Sequence, residues 1–295
     1  MTGLGLDLDL LIVGGGPAGC AAALTAAGVG MRSLLIENDA RLCGKLHHIP
    51  ALNNVLGGFR AGPDLATVIT ADIAGTPLCR TLTGTRVAAV AADDSTATVT
   101  LEGGEQHTAP HVVLATGVEP LRPDDADWIT SPDALRPPPH WEARPAVSAG
   151  QTWLVIGADR PLGTFLRAHL DLDIKLLVPY PPGDAYKTEE VTDDPRVVLL
   201  PVRHVTLHNA VTAELLTPVG ERRRYRADAA FTNIGSAPVP PAGLVRDASG
   251  YCPPGLQHPR LITAGDLRSG TYQRIMTATG SGAEAALRPY YAARG

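Results

Sequence analysis

The chain has 295 residues, of which 44% are hydrophobic and 19% are charged, so it can form one large domain or two smaller domains with their own cores. This composition excludes intrinsic disorder for most of the chain. The net charge of -5 and the aromatic content of 4% also argue against a nucleic acid partner. They provide neither the basic excess that binds phosphates nor the rings on which bases stack.

The sequence has no apolar run near the roughly 18 residues that a transmembrane helix needs. Its N-terminal segment carries Asp7 and Asp9 where a signal peptide would carry positive charge. Both features predict a cytoplasmic protein without a membrane partner. The four cysteines have neither CxxC nor metal-type spacing, which predicts reduced thiols and no metal site. They are Cys20, Cys43, Cys79 and Cys252.

The first informative segment runs from Asp9 to Leu24 and has the sequence DLLIVGGGPAGCAAAL. An apolar run followed by glycines and small residues predicts a strand, a tight turn and a helix. A second apolar run, Arg32 to Glu37, follows at the spacing of a βαβ unit and ends on an acidic residue. We therefore expect two parallel strands joined by a crossover helix.

The pattern GxGxxG falls on Gly14, Gly16 and Gly19, with Pro17 and Ala18 between the last two glycines. The first glycine permits the turn, the second lets a pyrophosphate approach the backbone, and the third lets helix and strand pack closely. The helix N-terminus favours the anion, and the carboxylate of Glu37 can accept a hydrogen bond from a ribose. The strand context and the acidic residue together predict a dinucleotide-binding site.

The rest of the chain alternates between strand-like and helical patterns. Residues 87–113 form short alternating runs, which predict an antiparallel meander that rejoins the main sheet at HVVLATG. Residues 119–150 are rich in proline and predict a domain crossing. A second, degraded strand-turn-helix pattern begins at Thr152, a Pro- and Gly-rich cluster at 236–243 indicates the return crossing, and the last segment predicts a strand and a long helix.

At these motifs the sequence resembles the low-molecular-weight thioredoxin reductase-like flavoproteins, which are FAD-dependent pyridine nucleotide-disulfide oxidoreductases. The matching segments are GGGPAG at 14–19, HVVLATG ending at Gly117, and LITAGD ending at Asp266. The resemblance spans nearly the whole chain. It implies an α/β fold with two Rossmann-like domains: a discontinuous FAD domain at 1–118 and 246–295, and a smaller NAD(P)-type domain inserted at 119–245. It also implies a homodimer.

The resemblance implies a set of FAD-binding residues. In the family the first glycine motif holds the pyrophosphate, the ATG turn leaves the FAD domain, and the GD aspartate binds the ribityl or phosphate region. The loop CGKLHHIPALNN and the segment YQRI resemble flavin-contacting segments, and one valine matches the residue beside the adenine. The full set is Gly14, Gly16, Pro17, Ala18, Gly19, Glu37, Lys45, Leu46, Asn54, Val87, Ala115, Thr116, Gly117, Gly265, Asp266, Gln273, Arg274 and Ile275.

The sequence departs from the family pattern at two places. The stretch 130–150, where the family carries its CxxC dithiol, contains no cysteine, which excludes disulfide reduction by the family mechanism unless Cys43, Cys79 or Cys252 acts from elsewhere. The second glycine motif has Asp159 where a pyrophosphate would approach bare backbone, and residues 178–183 replace the basic cluster that grips the 2′-phosphate of NADPH. We therefore expect a retained fold with lost tight NADPH binding.

These features predict an FAD-dependent oxidase or dehydrogenase that acts on a small molecule, in the manner of tailoring enzymes of secondary metabolism. Oxygen or a protein electron carrier would reoxidise the flavin. His47 and His48 lie in the predicted flavin loop and are candidate proton donors or acceptors, although either can equally be a structural residue.

Two alternatives stay open. One is an NAD(P)H-dependent reductase resembling the thioredoxin reductase-like ferredoxin-NADP reductases, with the basic run 222–226 facing an acidic protein partner. A solvated hairpin edge also accounts for that run. The other alternative is a non-catalytic flavin-binding module.

Overall fold

The computed structural model describes residues 8–132, 135–144 and 149–294. Residues 1–7, which include Asp7 of the predicted N-terminal segment, and residues 133–134 and 145–148 of the predicted crossing lie outside this description. Contacts within the chain define two compact units. The first comprises Met1–His47, Asn53–Glu119 and Ala237–Gly295, and the second comprises His48–Leu52 and Pro120–Ser236.

A five-stranded parallel sheet forms the centre of the first unit. Four of its five strands are short, apolar and largely buried, which explains why they appear in the sequence as continuous apolar runs, whereas the edge strand at Cys79–Leu82 is partly exposed. In the order of the sheet they are β18 (Leu261–Thr263), β7 (His111–Leu114), β1 (Leu10–Val13), β2 (Ser33–Ile36) and β3 (Cys79–Leu82). The pairing of β1 with β2 and with β7 is parallel and in the register that a βαβ unit requires.

Three helices belong to the first unit: α1 (Pro17–Gly28), α2 (Gly62–Ala74) and α4 (Ile275–Ala292). Helices α1 and α4 lie in close contact. Their backbones approach so closely that a Cβ atom at Gly282 would overlap the backbone of Ala18. The predicted meander is an antiparallel three-stranded sheet of β4 (Val87–Ala92), β5 (Ala97–Leu101) and β6 (Gln106–Ala109). HVVLATG then continues as β7 of the main sheet.

The second unit contains two four-stranded sheets. The first is parallel and has the order β12 (Val197–Pro201), β11 (Ile174–Tyr180), β10 (Gln151–Ile156) and β16 (Ala229–Thr232), with α3 (Pro161–Ala168) after β10. The second has the order β15 (Arg222–Arg226), β14 (Thr212–Leu216), β13 (His204–Asn209) and β9 (Ile129–Thr130). The predicted α/β class and the second βαβ unit are therefore present.

An aromatic cluster in the core of the second unit encloses His140. This histidine is 1% exposed and lies 4.7 Å from Phe165, 5.9 Å from Phe231 and 6.4 Å from Trp153, measured between ring centroids. Neither of its ring nitrogens has a hydrogen-bond partner among the described residues. Burial lowers the pKa of His140 to about 4, because the charged imidazolium cannot be solvated there.

The chain leaves the first unit within β8 (Val118–Pro120) and returns to it within β17 (Ser236–Pro238). The return falls within the Pro- and Gly-rich cluster at 236–243. After Ala237 the chain pairs with β4, where the Val90 N–H donates to the carbonyl of Ala242 at 2.8 Å and the Ala242 N–H donates to the carbonyl of Ala88 at 3.0 Å. These backbone bonds assign residues 237–245 to the first unit.

Among the helices that the structure describes, none has the length and apolar character needed to span a bilayer. Likewise, within residues 8–132, 135–144 and 149–294, no three His, Cys, Asp or Glu side chains converge as metal ligands would.

Candidate dinucleotide-binding site

Four neighbouring parallel strands of the first unit end at one edge of the sheet. Because their directions agree, the residues that follow them are brought together although they are far apart in the sequence. Gly14 follows β1, Glu37 follows β2, Ala115 follows β7 and Gly265 lies two residues beyond β18. The strand order therefore unites the glycine motif, the acidic residue, the ATG turn and the GD pair in one site.

The glycines of the first turn have different steric roles. Gly14 has φ +102°, and a Cβ atom there would overlap the carbonyl of Ala115. A Cβ atom at Gly19 would overlap the carbonyl oxygen of Gly14, so α1 packs directly on the turn. At Gly16 a Cβ atom would meet no protein atom within 4 Å. The open space therefore lies at the N-terminus of α1, where Pro17 is the first helical residue.

The carboxylate of Glu37 is oriented by the backbone around it. It accepts hydrogen bonds from the N–H groups of Gly15 and of Asp39, the latter at 2.8 Å. A carboxylate has about four lone-pair sites, so acceptor capacity is left for a ribose hydroxyl. The carbonyl of Glu37 also accepts from the Thr85 N–H at 2.9 Å, which brings the start of β4, and with it Val87, to this part of the site.

The ATG turn contains an unpaired polar group. The hydroxyl of Thr116 is buried and has no hydrogen-bond partner among the described residues. A hydroxyl buried without a partner is costly, so its position at the ends of these strands suits a polar ligand. Gly117 and Gly265 have φ values of +69° and +67°, and the Gly265 N–H donates to the Ser281 hydroxyl of α4 at 2.9 Å. Asp266 follows in a short 3₁₀ helix, Gly265–Arg268.

The segment before α4 carries the three residues expected near a flavin ring. The amide of Gln273 donates to the Tyr251 hydroxyl at 3.3 Å and to the Ser269 carbonyl at 3.1 Å. Arg274 has an extended backbone and occupies the position just before α4, which begins at Ile275. The N-terminus of this 18-residue helix, with its partial positive charge, therefore lies at this segment.

The loop after β2 is only partly regular. Residues Gly44–His48 form a 3₁₀ helix in which Lys45 is exposed and Leu46 is 2% exposed. Leu46 thus packs into the core of the first unit. His47 belongs to the first unit, whereas His48 belongs to the second, where its ring centroid lies 6.1 Å from that of Trp141. Asn54 lies further on, in an exposed segment without regular structure.

The second unit repeats the glycine turn with an altered geometry. Gly157 has φ +99°, and a Cβ atom there would overlap the carbonyl of Asn233. A Cβ atom at Gly14 would overlap the carbonyl of Ala115 in the same way. The Asn233 side chain also donates to the Asp159 carbonyl at 2.7 Å. However, α3 begins at Pro161, four residues after Gly157, whereas α1 begins three residues after Gly14. The N-terminus of α3 is therefore offset by one residue.

A lysine that sequence reasoning missed lies near the ends of the strands in the second unit. Residues 178–183 contain no basic side chain, but a 3₁₀ helix over Pro182–Thr188 follows them and carries Lys187. Its ammonium lies 3.0 Å from the Asp184 carboxylate and 3.8 Å from the Cβ position of Gly235, beyond β16. A positive charge is therefore present close to this edge, although it is paired with Asp184.

The structure brings two of the four cysteines close to one peptide group. Cys20 lies in the first turn of α1 and Cys43 in the loop after β2, and both bond to the carbonyl oxygen of Gly15, the first through its thiol at 3.3 Å and the second through its backbone N–H at 2.8 Å. Both are 1% exposed, and all four cysteines of the chain are free. A separation of 23 positions in the sequence gave no signal of this contact.

Comparison with known proteins shows similarity in fold. Residues 8–138 match the family model of the pyridine nucleotide-disulphide oxidoreductases. The thioredoxin reductase of Lactococcus lactis superposes with a TM-score of 0.80 at 19% identity, over 96% of this chain and 98% of that one. The thioredoxin reductase of T. acidophilum gives 0.78 at 20% identity, over 98% and 99%.

The bacillithiol disulfide reductase of Bacillus cereus is also similar, with a TM-score of 0.70 at 18% identity over 98% of this chain and 100% of that one. No curated protein sequence matches the chain. The structural similarities confirm the predicted fold class of two dinucleotide-binding domains. The family matched over residues 8–138 is one of FAD-binding flavoproteins, and the chain as a whole has the fold of the thioredoxin reductases.

Proposed function

We propose that the chain is an FAD-dependent oxidoreductase that oxidises a small molecule without a redox-active disulfide in its electron path. The observation that carries this proposal is the contrast between the two glycine turns. The first leaves open space at Gly16, beside a helix N-terminus. The second places Asp159 in the corresponding turn and shifts the helix by one residue. A carboxylate about 4 Å from a phosphate would cost roughly 4 kcal/mol at an effective dielectric constant of 20.

The same residues that form the strand-end site fit FAD. FAD, when bound, supplies an acceptor for a hydride. In this proposal Gly16 and the N-terminus of α1 bind the pyrophosphate, Glu37 accepts a hydrogen bond from the adenosine ribose, and the hydroxyl of Thr116 gains the partner that it lacks. The N-terminus of α4, after Arg274, stabilises negative charge on the flavin ring.

The two histidines of the 3₁₀ helix are the proposed proton-handling groups. His47 belongs to the first unit with the strand-end site, whereas the ring of His48 lies beside Trp141. We propose that one of them holds the substrate proton. Because they are adjacent and chemically identical, His47→Ala and His48→Ala form a matched pair. The variant that loses flavin reduction by substrate while keeping its FAD content identifies the group, and unchanged rates in both would remove them from the mechanism.

The function is tested on the FAD-loaded protein without any nicotinamide nucleotide. Candidate small molecules are added anaerobically while the flavin absorbance at about 450 nm is followed, and the sample is then opened to air. The proposal predicts that a substrate bleaches the flavin and that hydrogen peroxide or a reduced electron carrier appears on reoxidation. A flavin that only NADPH or NADH can bleach would contradict it.

A second candidate is an NAD(P)H-dependent reductase, and two observations favour it. The turn at Gly157 keeps the conformation of a nucleotide-binding turn, and the edge strand β15 carries four arginines. Of these, Arg222 and Arg223 are paired with Glu214 and Glu221. Arg224 and Arg226 are exposed and could face an acidic protein that carries electrons. This candidate predicts rapid flavin bleaching by NADPH.

Homodimer formation and a cytoplasmic location are also proposals, and both rest on the likeness to the thioredoxin reductase fold. The dimer is tested by the mass of the FAD-loaded protein in solution, measured by light scattering over a range of concentrations. A monomer at all concentrations would contradict it.

A further inference from the structure

One peptide group, that of Gly15, connects the strand-end site to a pair of cysteines. Its N–H donates to the carboxylate of Glu37. Its carbonyl oxygen accepts from the thiol of Cys20 at 3.3 Å and from the backbone N–H of Cys43 at 2.8 Å. The dinucleotide-binding turn therefore has the proposed ribose-binding residue on one side and both cysteines on the other.

The two thiols differ in their readiness to ionise. The interaction with the neighbouring Cys20 side chain lowers the pKa of Cys43 below that of an ordinary thiol. The interaction with Cys43, together with burial, raises the pKa of Cys20, which stays protonated. Cys43 is therefore the nucleophilic thiol of the pair and Cys20 is its proton-bearing partner.

The backbone at Cys43 keeps this thiol in place. Cys43 has φ +58°, a left-handed conformation that residues other than glycine seldom adopt. Two backbone bonds hold it, one from its N–H to Gly15 and one from the Leu46 N–H to its carbonyl at 2.9 Å. Cys20 is anchored in α1. Both thiols are thus held together by backbone that belongs to the dinucleotide-binding turn and its neighbouring loop.

We propose that Cys20 and Cys43 form a reversible disulfide when the protein meets a peroxide, and that this pair is an oxidation site beneath the dinucleotide-binding turn. The Cys43 thiolate attacks one oxygen of hydrogen peroxide, the O–O bond breaks, and hydroxide leaves and becomes water, so that Cys43 carries a sulfenic acid. The sulfur of Cys20 then attacks the sulfur of Cys43. Its proton goes to the departing hydroxyl, a second water leaves, and the disulfide is complete.

The other two cysteines lack these features and serve as controls. Burial raises the pKa of both Cys79 and Cys252, which makes each a poorer nucleophile. Cys79 is the more exposed of the two, and its thiol donates to the Arg80 carbonyl at 3.7 Å. If exposure alone governed oxidation, Cys79 would react first. The proposal predicts that the buried pair reacts first instead.

The test uses the FAD-loaded protein and a Cys79→Ser variant as the matched control. Each is treated with hydrogen peroxide, blocked with an alkylating reagent under denaturing conditions, digested and mapped by mass spectrometry. The expected product is a linked peptide that contains Cys20 and Cys43, with two of the four thiols lost and regained on treatment with dithiothreitol. Because the cross-link closes a loop in the unfolded chain, Tm should rise by about 3 °C or more in the oxidised protein.

Several outcomes would overturn the proposal. They are irreversible oxidation of Cys43 without a disulfide, a main linked product that contains Cys79, or four thiols that survive a peroxide dose sufficient to oxidise free cysteine. Since the mapping is done on the unaltered protein, it does not depend on the folding of a Cys20 or Cys43 variant. Loss of the linked peptide in Cys43→Ser, with its retention in Cys79→Ser, would support the assignment.

Discussion

The backbone of Gly14 packs against the carbonyl group of Ala115, so that no Cβ atom fits at Gly14. This contact joins the turn after β1 to the turn after β7 and gives the strand-end site its shape. Gly16, two residues later, has no such neighbour. The absence of a side chain is therefore required by the fold at Gly14 and, in this account, by the ligand at Gly16.

Replacement of Gly16 tests the ligand requirement alone. Gly16→Ala should fold normally, because the new methyl group meets no protein atom within 4 Å. It should nevertheless lose FAD affinity by at least about tenfold, since the methyl group enters the space that the pyrophosphate needs. Gly28→Ala is the matched control, because Gly28 also has open space and lies at the far end of α1. Equal FAD content in both variants would contradict the assignment.

Replacement of Thr116 should act in opposite directions on the two forms of the protein. Thr116→Val removes a buried hydroxyl that has no described partner, so the FAD-free protein should gain about 1 kcal/mol in the free energy of unfolding. The FAD-bound protein should lose affinity, because the hydroxyl is the proposed partner of the cofactor. Denaturant unfolding of the FAD-free form and FAD titration measure the two effects. A variant with unchanged FAD affinity would show that this hydroxyl does not contact the cofactor.

The stability of the second unit should depend on pH through His140. The pKa of this group falls from 6.5 to about 4 on folding, so the unfolded chain binds the proton more readily. Its contribution is complete above pH 6.5 and is lost as the pH falls through the window from 6.5 to about 4. The loss should amount to about 3 kcal/mol.

The comparison that isolates this effect is His140→Phe, which places an apolar ring in the same aromatic cluster. As the pH is lowered from 7 to 4, the unfolding free energy of the unaltered protein should fall steadily relative to that of His140→Phe. Parallel curves over that range would exclude His140 as the group responsible.

Neutralisation of Asp159 should strengthen nucleotide binding in the second unit. Asp159→Asn removes a carboxylate from the second glycine turn and keeps the size of the side chain, so affinity for NADH should rise by at least about tenfold. Asp171→Asn, which removes an exposed carboxylate after α3, is the control for overall charge. Equilibrium titration by fluorescence measures both. If Asp159→Asn and Asp171→Asn bind NADH with equal affinity, the carboxylate of Asp159 is not what weakens nucleotide binding at the second glycine turn.

Much of the strand-end site could be predicted from the sequence, because parallel strands end at one edge of their sheet. Once each residue is recognised as following a strand, the sequence predicts that the four lie close together. They are Gly14, Glu37, Ala115 and Gly265. The steric roles of the glycines could also be predicted, because each glycine of a GxGxxG turn between a strand and a helix has a known role.

The features that the sequence did not predict depend on where irregular segments fold back onto the rest of the chain. Cys43 meets Cys20 only because the loop after β2 folds back over Gly15. Lys187 reaches the region of Gly235 only because a 3₁₀ helix turns the chain after Tyr180. Such long-range contacts are set by packing, which periodicity and spacing do not encode.

The measurement that tests the central claim most directly is an anaerobic titration of the FAD-loaded protein with NADPH and then NADH. Flavin absorbance at about 450 nm is followed, and dithionite provides the fully reduced endpoint. The account predicts that an excess of either nucleotide leaves the flavin oxidised, because the second glycine turn with Asp159 and its offset helix binds them poorly. Rapid, stoichiometric bleaching by either nucleotide would contradict the account and establish the chain as a nicotinamide-dependent reductase.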